Sequence, residues 1–329
     1  MISKCEDFME YRQVGRSGLR VSSVALGSWL TYGNSVGLDA TRACVDRAIE
    51  RGVNFLDTAD VYAEGEAERV LGRALADHRR SALVVATKCY FAMGAGPNDR
   101  GLSRKHVSES VDASLRRLGT DYIDLYQCHR FDEQTPLDEL VRTMDDLIRR
   151  GKILYWGVSC WTAEQIRQVC RIADETGACR PISNQPPYSL LERGVEAEVV
   201  PASLELGVGQ VVFSPLAQGI LSGKYSGNRR PEGSRASDRR LGRWLRPSLT
   251  PEILETVDGL VPIAESVGVT LAQLALAWCL HQPGITSTIF GASSVEQLEE
   301  NVGAASVELS TEVLTRIATA LGDVRRTVL

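Results

Sequence analysis

Along most of the chain, short runs of apolar residues alternate with longer segments whose apolar positions recur every three or four residues. The runs are SSVALGSW, VNFLDTA, ALVVATKC, IDLYQCH, ILYWGVS, PISNQ, QVVFSPL and TSTIFGAS. They are continuous rather than alternating, the pattern of parallel strands covered on both faces. The intervening segments, among them 41–51, 66–77, 107–118, 137–150 and 163–175, read as amphipathic helices. Thr162 is placed to cap the helix that Gly177 closes, and Gly119 and Gly151 lie just past two others.

Eight strand–helix units in about 300 residues predict a (β/α)8 TIM barrel. The alternative, a doubly wound sheet, lacks a G-x-G-x-x-G after its first strand. YRQVGRSGLRVSS, with turn glycines at 15 and 18, predicts an N-terminal hairpin. Two places break the rhythm: the long polar stretch 222–250 after the seventh strand, and an extra helix near 251–267 ahead of LAQLALAWCL. Insertions of this kind usually sit on the catalytic face of a barrel. No linker divides the chain, so residues 1–329 are expected to form one domain, with 1–10 as a flexible lead.

Composition narrows the classes. An apolar fraction of 43% supports a large core, and a net charge of −5 argues against general nucleic-acid binding. MISKCEDFMEYRQVG has no apolar centre and does not read as a signal peptide, and no stretch reaches the roughly 20 apolar residues that span a bilayer. The eight cysteines form no C-x-x-C and no cluster with histidine, so reduced thiols, a cytoplasmic location and no metal site are expected.

In a barrel, the C-terminal ends of the strands converge on one mouth. Read in order, those ends carry Asp57, Lys88 and His129, with Tyr62 on the loop after Asp57. Free tyrosine has a pKa of about 10, which a neighbouring ammonium lowers; a carboxylate keeps that ammonium charged, and a neutral imidazole donates to a carbonyl oxygen. Singly, each has a plainer reading: a cap, a solvated charge, a surface aromatic. Together they can protonate a carbonyl oxygen while something else attacks its carbon.

The motifs NFLDTADVY, VVATKC, IDLYQCH, GVSCW, SNQPPYSLL, FSPLAQGILSGKY and GASSVEQLEEN, in that order from about residue 11 to 321, resemble those of the aldo-keto reductase superfamily. The resemblance is to the branch that holds the voltage-gated potassium channel β-subunits and similar bacterial reductases. It implies that Asp57, Tyr62, Lys88 and His129 are a catalytic tetrad with Tyr62 as general acid. It also implies a nicotinamide held by Ser159, Asn184, Gln185 and Phe213, beside Ser28, Trp29 and Asp57. Asn184 is the looser match, and Phe213 stands where Tyr or Trp is common.

By the same resemblance, Ser214, Pro215, Leu216, Gln218, Gly219, Lys224 and Arg235 lie along the pyrophosphate, and Gly291, Ser293, Gln297, Glu300 and Asn301 at the adenosine end. Gln297 departs from the basic residue that often grips a 2′-phosphate. NADP(H) is the implied cofactor and NAD(H) the alternative.

Trp29, Tyr62, Tyr90, His129 and Trp161 are the expected substrate pocket, with Trp244 as a further candidate wall. Seven arginines between 229 and 246 form either a solvated loop or a clamp over anionic groups. The expected activity is NADPH-dependent reduction of a small aldehyde or ketone, without nucleic-acid or membrane partners and with homo-oligomers possible. The alternatives are a slowly turning redox-sensing subunit, against whose channel-inactivating form the short N-terminus argues, and a reductase of keto-sugar nucleotides.

Overall fold

A computed structural model describes residues 9–33, 36–232, 234, 236–237, 242 and 245–322. Eight parallel strands close into a barrel in the order β10-β3-β4-β5-β6-β7-β8-β9: β3 (Val24–Gly27), β4 (Phe55–Asp57), β5 (Val84–Cys89), β6 (Ile123–Cys128), β7 (Ile153–Val158), β8 (Ser183–Asn184), β9 (Gly209–Phe213) and β10 (Ile285–Phe290). The predicted barrel and its hairpin are therefore both observed. The hairpin pairs β1 (Tyr11–Gln13) with β2 (Arg20–Ser22). Val14 and Val21 pack with Ala25, Phe55, Ala86, Leu125, Val211 and Ile289 inside the barrel, so the hairpin plugs the end opposite the strand C-termini.

Around the strands run α1 (Leu38–Glu50), α2 (Glu66–Leu75), α3 (Arg104–Leu118), α4 (Leu137–Arg149), α5 (Ala163–Thr176), α6 (Val199–Leu206), α7 (Pro251–Ser266), α8 (Leu271–His281), α9 (Val295–Gly303) and α10 (Thr311–Leu321). Their apolar stripes meet the outward faces of the strands, where Leu56, Val85, Tyr126, Trp156 and Val158 are buried. Thr162 forms a full capping box with Gln165 at the start of α5. The extra helix expected near 251–267 is α7. α8 is apolar on every side and buried along nearly its whole length, the arrangement such a helix needs. Among the described residues no single helix is long and apolar enough to cross a membrane.

β8 is only two residues long. Pro181 precedes it, and Pro186 and Pro187 follow. Proline has no N–H to donate, so the ladder ends where those residues begin.

The backbone marks one end of the barrel as unusual. Every described non-glycine residue with positive φ follows the C-terminal end of a strand: Leu30 after β3, Ala63 and Glu64 after β4, Cys160 after β7, and Ser214, Ala217 and Gln218 after β9. Such conformations cost of order 1–3 kcal/mol each and concentrate where side chains or backbone groups are held for a purpose.

Candidate active site

Asp57 ends β4, Lys88 lies near the end of β5, and His129 follows β6 directly. Adjacent parallel strands set in this register carry their ends to the same level of the mouth. Lys88 is fully buried and donates to Asp57 Oδ1 at 2.6 Å and to the Thr58 carbonyl at 2.7 Å. The other carboxylate oxygen, Asp57 Oδ2, accepts from Gln185 Nε2 at 2.9 Å and from Gln127 Nε2 at 3.4 Å. Both oxygens of Asp57 are thus engaged, and the lysine is anchored from below.

Tyr62 lies beside this pair. Its ring centre is 5.2 Å from Lys88 Nζ and 5.6 Å, edge to face, from the His129 ring. The loop that carries it, Tyr62–Gly65, turns through three left-handed residues before α2 begins. Gly65 ends the turn with φ +86, and a Cβ there would meet Arg117 Cδ at 2.8 Å. Arg117 is itself held: its Nε donates to the buried Glu68 at 2.5 Å, and Glu68 also accepts from Thr87 at 2.6 Å. Only glycine fits both the backbone conformation and that contact, so the chain reaches Tyr62 over a floor with a fixed shape.

The electrostatics differ in one respect from the sequence-based expectation. Instead of being acidified, the Tyr62 phenol is pushed well above its ordinary pKa, first by burial and then by the Asp57 carboxylate. The cation that pulls it back down is Arg130. Burial lowers the Lys88 pKa, against the opposing pull of Asp57. His129 lies well below its usual range, through burial and the nearby Lys88 and Arg130 charges, so its imidazole is neutral. Its Nδ1 is buried without a partner among the described residues.

The cofactor candidates separate into those at the mouth and those that are not. Phe213, at the end of β9, meets Trp29 edge to face at 6.4 Å, and both are partly exposed. Ser28 is buried, donating to Thr58 Oγ1 at 2.8 Å. Ser159 spends its hydroxyl proton on the Gln185 carbonyl at 2.8 Å, while the Gln185 amide is turned to Asp57. These two residues brace the tetrad and are less free for an amide ligand than expected.

Asn184 is not brought into the mouth. It pairs with Val158 and Gln210, which share the outer face with Val212, and its Nδ2 donates to Gln210 Oε1 at 3.1 Å. Of the pocket walls, Tyr90 is partly exposed and stacks edge-on with Phe91 at 5.3 Å, but Trp161 is buried in the core against Phe131.

Pro215 and Leu216 lie on the turn after β9, where Ser214, Ala217, Gln218 and Gly219 all take positive φ and aim backbone groups in directions a helix does not. Gly219 has φ +95, and a Cβ on it would come within 2.9 Å of Lys224 Nζ, so the exposed lysine lies across the loop. Beyond β10, Gly291 and Ser293 are exposed ahead of α9, which Ser294 caps. Gln297 Oε1 accepts from Ser293 N at 3.1 Å and from Ser293 Oγ at 2.9 Å. Glu300 is partly buried and Asn301 is buried. Arg235 and Trp244, like Arg239, Arg240 and Arg243, lie outside the described residues.

Four residues at or beside the mouth escaped the sequence reading. Gln127, two residues before His129 on the same strand face, tethers Asp57. Phe91 meets the His129 ring at 4.9 Å. Arg130 stands over Phe91 at 5.6 Å. Asp60, inside the DTADVY motif, is fully buried. The period-2 spacing of Gln127 and His129 was the one signal available for the first.

A phenol that keeps its proton, a neutral imidazole, an anchored ammonium and an aromatic wall can together hold and protonate a carbonyl oxygen. The aldo/keto reductase family model matches residues 23–321. A "Probable voltage-gated potassium channel subunit beta" of Arabidopsis thaliana is 43% identical over 91% of this chain and 92% of its own. The rice protein of that description (Oryza sativa subsp. japonica) is 43% identical over 94% and 95%. A "Putative voltage-gated potassium channel subunit beta" of Schizosaccharomyces pombe is 42% identical over 93% and 92%. A family match spanning the whole barrel, on a chain whose mouth holds this set of side chains, makes the protein a member of the aldo/keto reductase family.

Proposed function

We propose that the chain reduces aldehydes or ketones to alcohols with NADPH, with Tyr62 as the proton donor. The observation that carries this reading is the fully buried Lys88, bonded to Asp57 Oδ1 at 2.6 Å and lying 5.2 Å from the centre of the Tyr62 ring. A buried ion pair is weak evidence for stability and is more readily understood as a device for chemistry.

A carbonyl oxygen seated between Tyr62 and His129 meets two neutral groups. The phenol stays protonated at neutral pH because burial and Asp57 both oppose its ionisation. His129 orients the oxygen without competing for the proton. A reduced nicotinamide supplies the hydride when bound. The alkoxide that develops is more basic than any phenolate, so the proton passes from Tyr62 to the oxygen. The phenolate left behind is favoured by the Arg130 charge, with Lys88 Nζ 5.2 Å from its ring centre, until water returns a proton. Placed general acids of this kind are worth about 10²–10⁴ in rate.

The residues that fit the cofactor are Trp29 and Phe213 for the nicotinamide, the left-handed turn with Gly219 and Lys224 for the phosphates, and Gly291, Ser293 and Gln297 for the adenosine end. With no basic side chain at 297, NADP(H) rests on the backbone and Lys224; NADH is the control cofactor. A cytoplasmic location and self-assembly belong to the same proposal.

The test is NADPH oxidation at 340 nm with 4-nitrobenzaldehyde. Tyr62→Phe is expected to abolish turnover while leaving NADPH binding nearly unchanged; turnover at the wild-type rate removes Tyr62 from its role. A second reading has support from the relatives described as channel β-subunits: a cofactor-binding subunit that turns over slowly and reports redox state to a partner. Turnover below about one per minute across an aldehyde panel would favour it, since ordinary enzymes run at 1–10³ s⁻¹.

A further inference from the structure

Arginines that are half-buried elsewhere in this chain meet carboxylates: Arg80 bonds Asp124 at 2.5 Å, Arg117 bonds Glu68 at 2.5 Å, and Arg193 bonds Glu196 at 2.8 Å. Arg130 does not. Its Nη1 donates to the His129 carbonyl at 2.6 Å, and its guanidinium stands 5.6 Å over the Phe91 ring. Nε and Nη2 have no acceptor among the described residues. The acidic side chain nearest in sequence, Asp132, is committed elsewhere: it accepts from Leu102 N, Gln134 N and Thr135 Oγ1. A partly desolvated guanidinium left without a carboxylate partner is costly unless something supplies the anion.

Its position shows what kind of anion. Phe91 packs on both Arg130 and His129, and His129 packs on Tyr62, so the guanidinium belongs to the same wall as the proton-donating pair. Its charge is felt at Tyr62, His129 and Lys88 alike. Lys88 is balanced by Asp57, which leaves Arg130, among the described residues around the tetrad, as a cation without a carboxylate. Phe91 and the His129 carbonyl fix the guanidinium, so its Nε–Nη2 edge is held as a planar fork.

We infer that the carbonyl compound taken by this site carries a carboxylate, which pairs side-on with the free edge of Arg130 while the carbonyl oxygen lies at Tyr62 and His129. This rests on the proposed reductase reading and adds the class of its substrate: aldehyde or keto acids in preference to neutral carbonyls. Arg130 is then a specificity-determining residue, absent from the seven motifs that mark the family resemblance.

The experiment compares the ortho, meta and para carboxybenzaldehydes with their methyl esters, which differ by the charge, in wild type, Arg130→Gln and Arg130→Lys with saturating NADPH. For at least one isomer, wild type is expected to favour the acid over its ester by tenfold or more in kcat/KM. Arg130→Gln is expected to lower that acid-to-ester ratio by about 10- to 100-fold, the worth of a charge-assisted pair, mostly through KM; Arg130→Lys recovers part of it.

A ratio that does not move, with acid and ester losing activity in proportion, would mean that Arg130 only stabilises the fold or the phenolate, and would overturn the inference. Isothermal titration of the hydroxymethylbenzoates and their esters, with NADP⁺ present, separates the two levels. Binding of the acid that depends on Arg130, without turnover of any aldehyde, keeps the anion site and refutes the reductase reading. Equal binding of acid and ester in wild type overturns the anion site itself.

Discussion

Asp60 gives the sharpest stability prediction. It sits three residues after Asp57, its N–H bonds the Lys88 carbonyl at 3.2 Å, and neither carboxylate oxygen makes a well-formed hydrogen bond among the described residues. Burial, then the like charge of Glu68, push its pKa up from 3.8 to about 8, against weaker pulls from the Val61 N–H, Arg117 and Lys88. An acid whose folded pKa is raised is neutral in the native protein and ionised in the unfolded chain. It costs nothing below the unfolded pKa, costs progressively more as pH rises from about 4 to about 8, and costs a constant amount above that. At pH 7 the gap is about three pK units, a ceiling of about 4 kcal/mol; at pH 4 it is below about 1 kcal/mol.

Asp60→Asn keeps the shape and the neutral charge of the native side chain and removes the ionisation of the unfolded one. With an unfolding entropy of about 2.1 cal/mol/K per residue over 329 residues, 4 kcal/mol corresponds to about 6 °C in Tm. Scanning calorimetry of both proteins at pH 4, 5.5, 7 and 8 reads the difference directly, since effects of other titrating groups are common to both. The expected result is Tm curves that nearly coincide at pH 4 and separate by several degrees at pH 7, with the variant higher. Curves that stay parallel, or a variant lower at neutral pH, would show that Asp60 is ionised in the folded protein and would refute the reasoning.

Two further predictions concern the ion pair and the phosphate loop. Lys88→Met leaves Asp57 as a buried charge without its partner, so it is expected to cost about 3–5 kcal/mol of stability and nearly all activity. Asp57→Asn in the same chain should restore part of the stability and none of the activity, and a double variant as unstable as the sum of the singles would contradict the pairing. Lys224→Ala is expected to raise the NADPH dissociation constant about tenfold in a fluorescence titration. Gly219→Ala, whose new methyl meets Lys224 Nζ at 2.9 Å, should raise it as well; constants equal to the wild type in both variants would take Lys224 off the cofactor.

Residues whose placement depends on strand order alone could be located without coordinates; those whose placement depends on a face or a partner could not. Asp57, Lys88 and His129 needed only the rule that strand ends share a mouth, because one rhythm of apolar runs fixes eight ends. Asn184 failed because a strand of two residues between prolines shows no alternation, and a single register step decides whether its side chain faces the mouth or Gln210.

The charges were harder still. Lysine beside tyrosine suggested an acidified phenol, but proximity in sequence order says nothing about desolvation, and in this mouth burial outweighs the cations. Arg130 shows the same limit from the other side: next to His129 it carries no signal in the sequence. Its meaning comes from carboxylates that are elsewhere, Asp132 on its own loop and Asp57 on Lys88. An unbalanced charge is a property of the whole neighbourhood, and a linear reading sees one residue at a time. The balance of this mouth therefore emerges only when the acids near it have been assigned, Asp57 to Lys88, Asp132 to its own loop and Asp60 to its neutral form, and among the described residues Arg130 then stands without a carboxylate.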